Sequence, residues 1–349
     1  MKELFTKYKG YIIVLLLPYI LVMFILVYPV NYTQQTPGGL SEVEDLIEID
    51  YETAEEIEGS ISTTFIMSIK RPTFFQFMLG TFTDYSTTYV LSETQSNYTN
   101  EEIAQISYLD KEVSVDSAII VAYLKAAETN DEINIEYELK VMVYGKAEYL
   151  DYYDDIDFGD EFISMMGDDD YLVTDYSEIG TYTQDSDSYQ FTFKNEDGEY
   201  TLTLTKDEEY GLFGFTLKTY YIVNEETVYP YYTENESSIG GPSGGLLQTL
   251  SIYNMLVDED LTNGLKIAGT GTISYDGSAG YIGGVEQKII TAYLNNVDVF
   301  FMPLLDEDYY YDNYIQALRV CEEYGLDPEG WLVPVSSFDD VLEYLEGLE

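Results

Sequence analysis

Histidine is absent from this chain. That absence excludes a Ser-His-Asp triad, a Cys-His dyad and a His-ligated zinc site. Cysteine is nearly absent. Cys321 stands alone, so no intrachain disulfide and no Cys-rich metal site can form. It falls in the helix-like run Tyr314 to Tyr324 and reads as a small core residue. Basic residues are scarce: 15 Lys and Arg stand against 65 Asp and Glu, a formal charge of -50. Such a surface repels phosphate backbones and anionic lipid, which argues against nucleic acid as a partner. Its plain meaning is solubility. The pattern G-x-x-x-x-G-K-[ST] is also missing, so there is no P-loop ATPase. Hydrolytic chemistry would have to use Ser or Thr with Lys, paired carboxylates, or a carboxylate-bound metal. Acidic runs such as Asp168-Asp169-Asp170 and Asp306 to Asp308 are expected by chance in so acidic a chain, and they read as solvated loops. No cofactor is expected.

What is present begins with an apolar run. Tyr11 to Val30 holds 20 residues without a charge. As a helix it spans roughly 30 Å, one hydrocarbon core. Tyr11 and Tyr28 lie near its ends, where aromatic belts form, and Pro18 is tolerated in such helices. Lys2, Lys7 and Lys9 precede the run, and the next basic residue is Lys70. The positive-inside rule then places the N-terminus in the cytoplasm and everything after residue 30 outside. A cleaved signal peptide is the competing reading. The length of the run and the lack of an A-x-A-like site favour an uncleaved anchor.

The remaining residues, 46% of the whole chain being hydrophobic, suffice for two or three compact units. Residues 31–132 form a mixed segment. In it Thr36-Pro37-Gly38-Gly39 reads as a turn, Ile61 to Ile69 as a strand ended by Lys70-Arg71-Pro72, and 101–127 as a helix. Residues 133–223 read as a β-rich unit. Glu138 to Val143 is apolar and β-branched, and Tyr189 to Phe193 alternates with Tyr200 to Thr205 across a hairpin turn at Asn195 to Gly198. Strand, helix, strand and hairpin together fit one small domain there. From 232 to 349 strands and helices alternate, an α/β pattern. The expected order is a Gly-rich turn, helix Gly244 to Leu256, strand Lys266 to Ser274, helix Val285 to Leu294, strand Val299 to Met302, helix Asn313 to Tyr324, strand Trp331 to Val335 and helix Phe338 to Leu348.

Two features carry chemistry. Gly240-Gly241-Pro242-Ser243-Gly244-Gly245 precedes an apolar helix. Small residues around a Ser let a substrate backbone approach closely, and a helix N-terminus supplies free N–H groups for a developing oxyanion. A Ser N-cap on a loop would have the same sequence. The second feature is Lys288. In the helix Val285 to Leu294 it shares the apolar face of Val285, Ile289 and Ala292, while Glu286 and Gln287 take the polar side. A buried amine loses its proton more readily, as a lysine base requires. Snorkelling of the amine to water is the alternative, and periodicity alone leaves the two open.

Successive motifs resemble those of the Lon-type proteolytic domain. They are Gly241-Pro242-Ser243-Gly244-Gly245, Ala268-Gly269-Thr270-Gly271-Thr272-Ile273, Asp276-Gly277, Ile282-Gly283-Gly284-Val285-Glu286-Gln287-Lys288 and Phe301-Met302-Pro303. Phe158-Gly159-Asp160-Glu161-Phe162-Ile163 resembles the Gly-Asp core of PDZ domains. The whole plan is similar to the bacterial, ATPase-free, membrane-anchored peptidases that place a PDZ domain before a Lon-type domain. That resemblance implies a Ser-Lys dyad of Ser243 and Lys288, with Thr270 helping to hold the lysine. It further implies backbone N–H oxyanion donors around Ser243, including that of Ser243 itself, with Gly241, Pro242 and Gly244 as supporting loop residues. The family usually carries Ala where this chain has Gly244. The implied activity is ATP-independent cleavage of secreted or membrane-associated proteins, with a peptide-binding PDZ-like segment and a homo-oligomer as a candidate state. The competing expectation is an inert peptide-binding scaffold at the cell surface.

Overall fold

We describe the protein from a computed structural model covering residues 2–348 except 52, 54, 55, 92–96 and 238. The first element is helix α1 (Lys2–Val27), within which Tyr8–Val27 is long and apolar enough to cross a membrane. The helix ends earlier than the apolar run. Pro29 disfavours helical backbone at Tyr28, and Pro29 instead forms a β-bridge with Thr73.

Strand β1 (Tyr32–Glu42) follows at once. The expected turn at Thr36 to Gly39 lies inside it as a bulge. Gly38 lets the two strands meet there, because a Cβ at that position would sit 2.4 Å from the Phe65 carbonyl oxygen. After β2 (Ile47–Ile49) comes β3 (Ser60–Lys70), antiparallel to β1. Helix α2 (Phe74–Thr81) and strand β4 (Thr87–Val90) were not foreseen; β4 pairs with β1. Helix α3 (Asn100–Ala127) lies where a helix was expected and begins with a Thr99–Glu102 capping box.

A second, antiparallel sheet is then inserted. Its strands are β5 (Tyr137–Lys146), β6 (Glu161–Met166), β7 (Leu172–Val173), β8 (Ser188–Asn195), β9 (Gly198–Thr205) and β10 (Phe215–Val223). The order is β10-β5-β6-β8-β9, with β7 on β6. Tyr189, Phe191, Phe193 and Leu204 of the foreseen hairpin fill its core. The helix expected in this segment is absent: from 133 to 223 the described helical turns are the short 3₁₀ pieces Asp168–Asp170 and Tyr176–Glu178. Asn134 and Tyr229 bridge at the neck of the insertion, and β11 (Tyr232–Glu234) returns to pair with β2.

The C-terminal part alternates as the sequence pattern suggests. It runs through α4 (Gly245–Asn254), β12 (Lys266–Gly269), β13 (Thr272–Ile273), β14 (Ala279–Gly280), α5 (Val285–Leu294), β15 (Val299–Pro303), α6 (Asn313–Tyr324), β16 (Leu332–Val335) and α7 (Phe338–Glu346). The expected continuous strand Lys266 to Ser274 is broken at Thr270-Gly271. The Thr270 N–H there donates to Phe301 O, and the Gly271 N–H leaves the sheet for the carbonyl of Ser243. The central sheet has the order β16-β15-β12-β3-β1-β4, so strands from both sides of the insertion share it. β3, β12, β15 and β16 run parallel, and helices cover both faces. Ile267 and Phe301 face α3, α4 and α7, whereas Ala268, Phe300 and Met302 face α5 and α6. The architecture is mixed α/β.

Candidate active site

The site lies at the carboxyl end of β12, the place where open α/β sheets commonly bind ligands. Three elements meet there. The loop Gly241 to Gly244 feeds α4, β12 ends at Gly269-Thr270, and α5 carries Lys288.

The loop is pinned from below. The Gly241 N–H donates to Ser107 O at 2.8 Å, and Ser114 Oγ donates to Pro242 O at 2.9 Å. Both serines lie on α3. Gly241 has φ +91, which favours glycine, and Gly245 packs so closely that a Cβ would meet Ser114 Oγ at 2.6 Å. From the other side, Thr270 Oγ1 and the Gly271 N–H both donate to Ser243 O, at 2.9 and 2.8 Å. The carbonyl of Ser243 is thereby fixed. Among the described residues the N–H groups of Ser243 and Gly244 have no partner, and both precede a helix N-terminus. They are free to receive an oxyanion.

Lys288 is 3% exposed. Its amine lies 2.7 Å from Ser243 Oγ and 2.8 Å from Thr270 Oγ1. Among the described residues no carboxylate pairs with it. Burial therefore acts unopposed and pushes its pKa down to about 7. Thr270, itself fully buried, sets the direction of the amine. Its only hydroxyl proton is committed to the Ser243 carbonyl, so towards Lys288 it can only accept. A neutral amine that gives one N–H to Thr270 can turn its lone pair to the Ser243 hydroxyl.

The approach to α5 is also braced. Asn313 exchanges two hydrogen bonds with the backbone of Ile282, 2.8 and 3.0 Å, and Gly284 starts the helix at φ +70. A Cβ at Gly284 would meet the end of the Ile66 side chain at 2.8 Å, and the positive φ favours glycine there.

Ser243, Thr270 and Lys288 thus come together, with Gly241, Pro242 and Gly244 forming the loop that presents the serine. Sequence reasoning missed Ser107, Ser114 and Asn313. Ser107 and Ser114 lie seven apart and so share one face of α3, but a helix with this many polar residues gives them no distinct signal. Asn313 offered none either.

No protein-family model matches the chain. A stretch of 72 residues, 21% of the chain, is 38% identical to the Lon protease of Ureaplasma parvum serovar 3 and covers 9% of that protein's length. The chain is therefore similar, over that stretch, to part of a Lon protease.

Proposed function

We propose that the protein is an ATP-independent serine endopeptidase, anchored by α1 and facing the outer side of a membrane, with Ser243 as nucleophile and Lys288 as general base. The observation that carries this reading is the 2.7 Å approach of a buried, carboxylate-free amine to a serine hydroxyl. A serine is a weak nucleophile until a neighbouring base takes its proton.

In the proposed cycle neutral Lys288 takes the Oγ proton as Ser243 attacks the scissile carbonyl. The carbonyl π electrons move to oxygen, and the resulting oxyanion is held by the N–H groups of Ser243 and Gly244. The Lys288 ammonium then protonates the leaving amine as the C–N bond breaks. Water adds to the acyl-enzyme with Lys288 again as base, and the Lys288 ammonium returns its proton to Ser243 as the acid product leaves. No metal ligand is required by any step. Deep burial keeps the amine neutral enough near pH 7 to begin the cycle.

The partial likeness to a Lon protease supports a peptidase. The apolar length of Tyr8–Val27 supports the anchor, and the N-terminal lysines support the orientation. The inserted sheet is proposed to present protein substrates. The test is active-site labelling. A fluorophosphonate should modify Ser243 in the intact chain, and Lys288→Ala should abolish both labelling and peptide cleavage in a folded protein. Undiminished cleavage by Ser243→Ala would refute the reading.

A further inference from the structure

Helix α2 is apolar on both of its faces. Phe77 and Gly80 turn inward: the Phe77 ring meets Tyr32 at 4.9 Å, and Gly80 packs against Gln34 with no room for a Cβ. On the opposite side, Phe75, Met78, Leu79 and Phe82 recur at i, i+3, i+4 and i+7 and are all exposed, Phe82 at 82%. Met67 and Ile69 of β3 are exposed as well. By the register of β1 and β3 they share the sheet face of Gln34, the face that carries α2. So many exposed apolar side chains on one side of a small region are unusual on a water-facing protein.

Its position says what covers it. The Phe74 N–H donates to Tyr28 O and the Val30 N–H donates to Pro72 O, both at 2.9 Å. The start of α2 is therefore tied to the residues where α1 ends. The charge pattern agrees. From Gly59 to Thr83 there is no Asp or Glu, although acids make up 65 of 349 residues, and the two charges in that stretch are Lys70 and Arg71. This is the part of a highly acidic molecule that can lie against lipid without repulsion.

We infer that the outer face of α2, with Met67 and Ile69, rests in the lipid headgroup region as a second membrane contact beside α1. The occupant is the bilayer itself, and the helix lies along the surface as short amphipathic anchors do. The inference rests on α1 being a membrane anchor. It adds orientation to tethering: a single helix leaves the sheet free to swivel, whereas two contacts fix its tilt. The seven strand steps from Thr63, beside Gly244, to Lys70 span at most about 24 Å, so the catalytic loop is held close above the lipid.

The test uses the full chain in phosphatidylcholine vesicles with plain or brominated acyl chains. Trp331 is the sole tryptophan, and the unmodified chain reports its response. A Phe82→Trp chain should show blue-shifted emission that brominated lipid quenches about twofold beyond that background. A Val14→Trp chain reports α1 in the same way. Quenching at position 14 without quenching at position 82 overturns the inference and leaves the anchor standing. Quenching at neither position removes the anchor as well. Emission at 82 that depends on protein dilution and not on bromination assigns the patch to a second copy and also overturns it.

Discussion

The inserted sheet and the α/β part around the central sheet each hold a buried lysine, Lys146 and Lys288, and the two amines have different company. Lys146, at the end of β5, donates to the carbonyls of Tyr153 and Ile156 at 3.0 and 2.7 Å. It lies over the rings of Tyr153 and Phe158, and Asp157, Glu102, Asp154 and Asp160 act to keep its proton. Burial lowers its pKa against that opposition. Lys288 meets two hydroxyls and no carboxylate, and burial alone takes it to about 7. Burial is common to both, so burial does not make a base. Carbonyls and ring faces want a donor and hold an ammonium, whereas hydroxyls can donate or accept and so tolerate a lone pair.

The largest effect that would separate the two lysines is catalytic. Lys288→Arg, permanently charged, should lower kcat/KM about 10²–10⁴-fold, while Lys146→Arg should leave peptide cleavage nearly intact. The wild-type rate should rise through a single limb near pH 7, because only the neutral amine accepts a proton. A limb near pH 10 in peptide-hydrolysis profiles would show a solvated Lys288.

Stability should respond in opposite senses. The folded pKa of Lys288, about 7, lies below its ordinary 10.5. Between those values the unfolded chain binds more protons, so stability rises with pH across that window and the penalty is complete below it. Lys288→Met should therefore stabilise the protein by about 2–4 kcal/mol at pH 6 and by less at pH 10, as urea unfolding would show. Lys146→Met should instead destabilise by about 2–3 kcal/mol, because two carbonyls lose their donor. Equal responses would erase the distinction.

Two smaller changes sharpen it. Thr270→Val keeps the shape but removes the acceptor that aims the amine, so cleavage should fall about tenfold. An unchanged rate would mean that the amine needs no such guide. Gly244→Ala adds a Cβ 3.1 Å from Thr63 Cγ2 at an ordinary φ of -92. The neighbour must yield by a few tenths of an ångström, while the unfolded chain loses freedom. Thermal unfolding should move by less than about 1 kcal/mol in free-energy terms.

Much of the C-terminal part was legible because its signals are local. The helices Val285 to Leu294 and Asn313 to Tyr324 show apolar spacing with clear ends, and the structure places both at those limits. Ser243 could be singled out by the small residues around it and Lys288 by its place on an apolar face, whereas Thr270 entered only through the family resemblance. The central sheet was not legible as a unit. Nothing local in Ser60–Lys70 says that it pairs with a strand some 200 positions later, and Thr36 to Gly39 carries turn chemistry that a bulge also uses. The short, apolar α2 has too few turns for periodicity to stand out. In the inserted segment a Gly-Asp motif suggested a helix-bearing domain, whereas tyrosine- and aspartate-rich turns link its strands.

The pairing of Ser60 to Thr63 with Lys266 to Gly269 also sets an order of events. As the chain is made from its N-terminus, α1 and β3 exist long before β12, and closing so long a loop must await its second strand. The inserted sheet has all its strands between residues 137 and 223, and it can form in the interval. Lys288 follows later still, because α5 lies beyond β12. On the proposed reading, the anchor would be made first and the Ser243–Lys288 pair would be completed only late in synthesis.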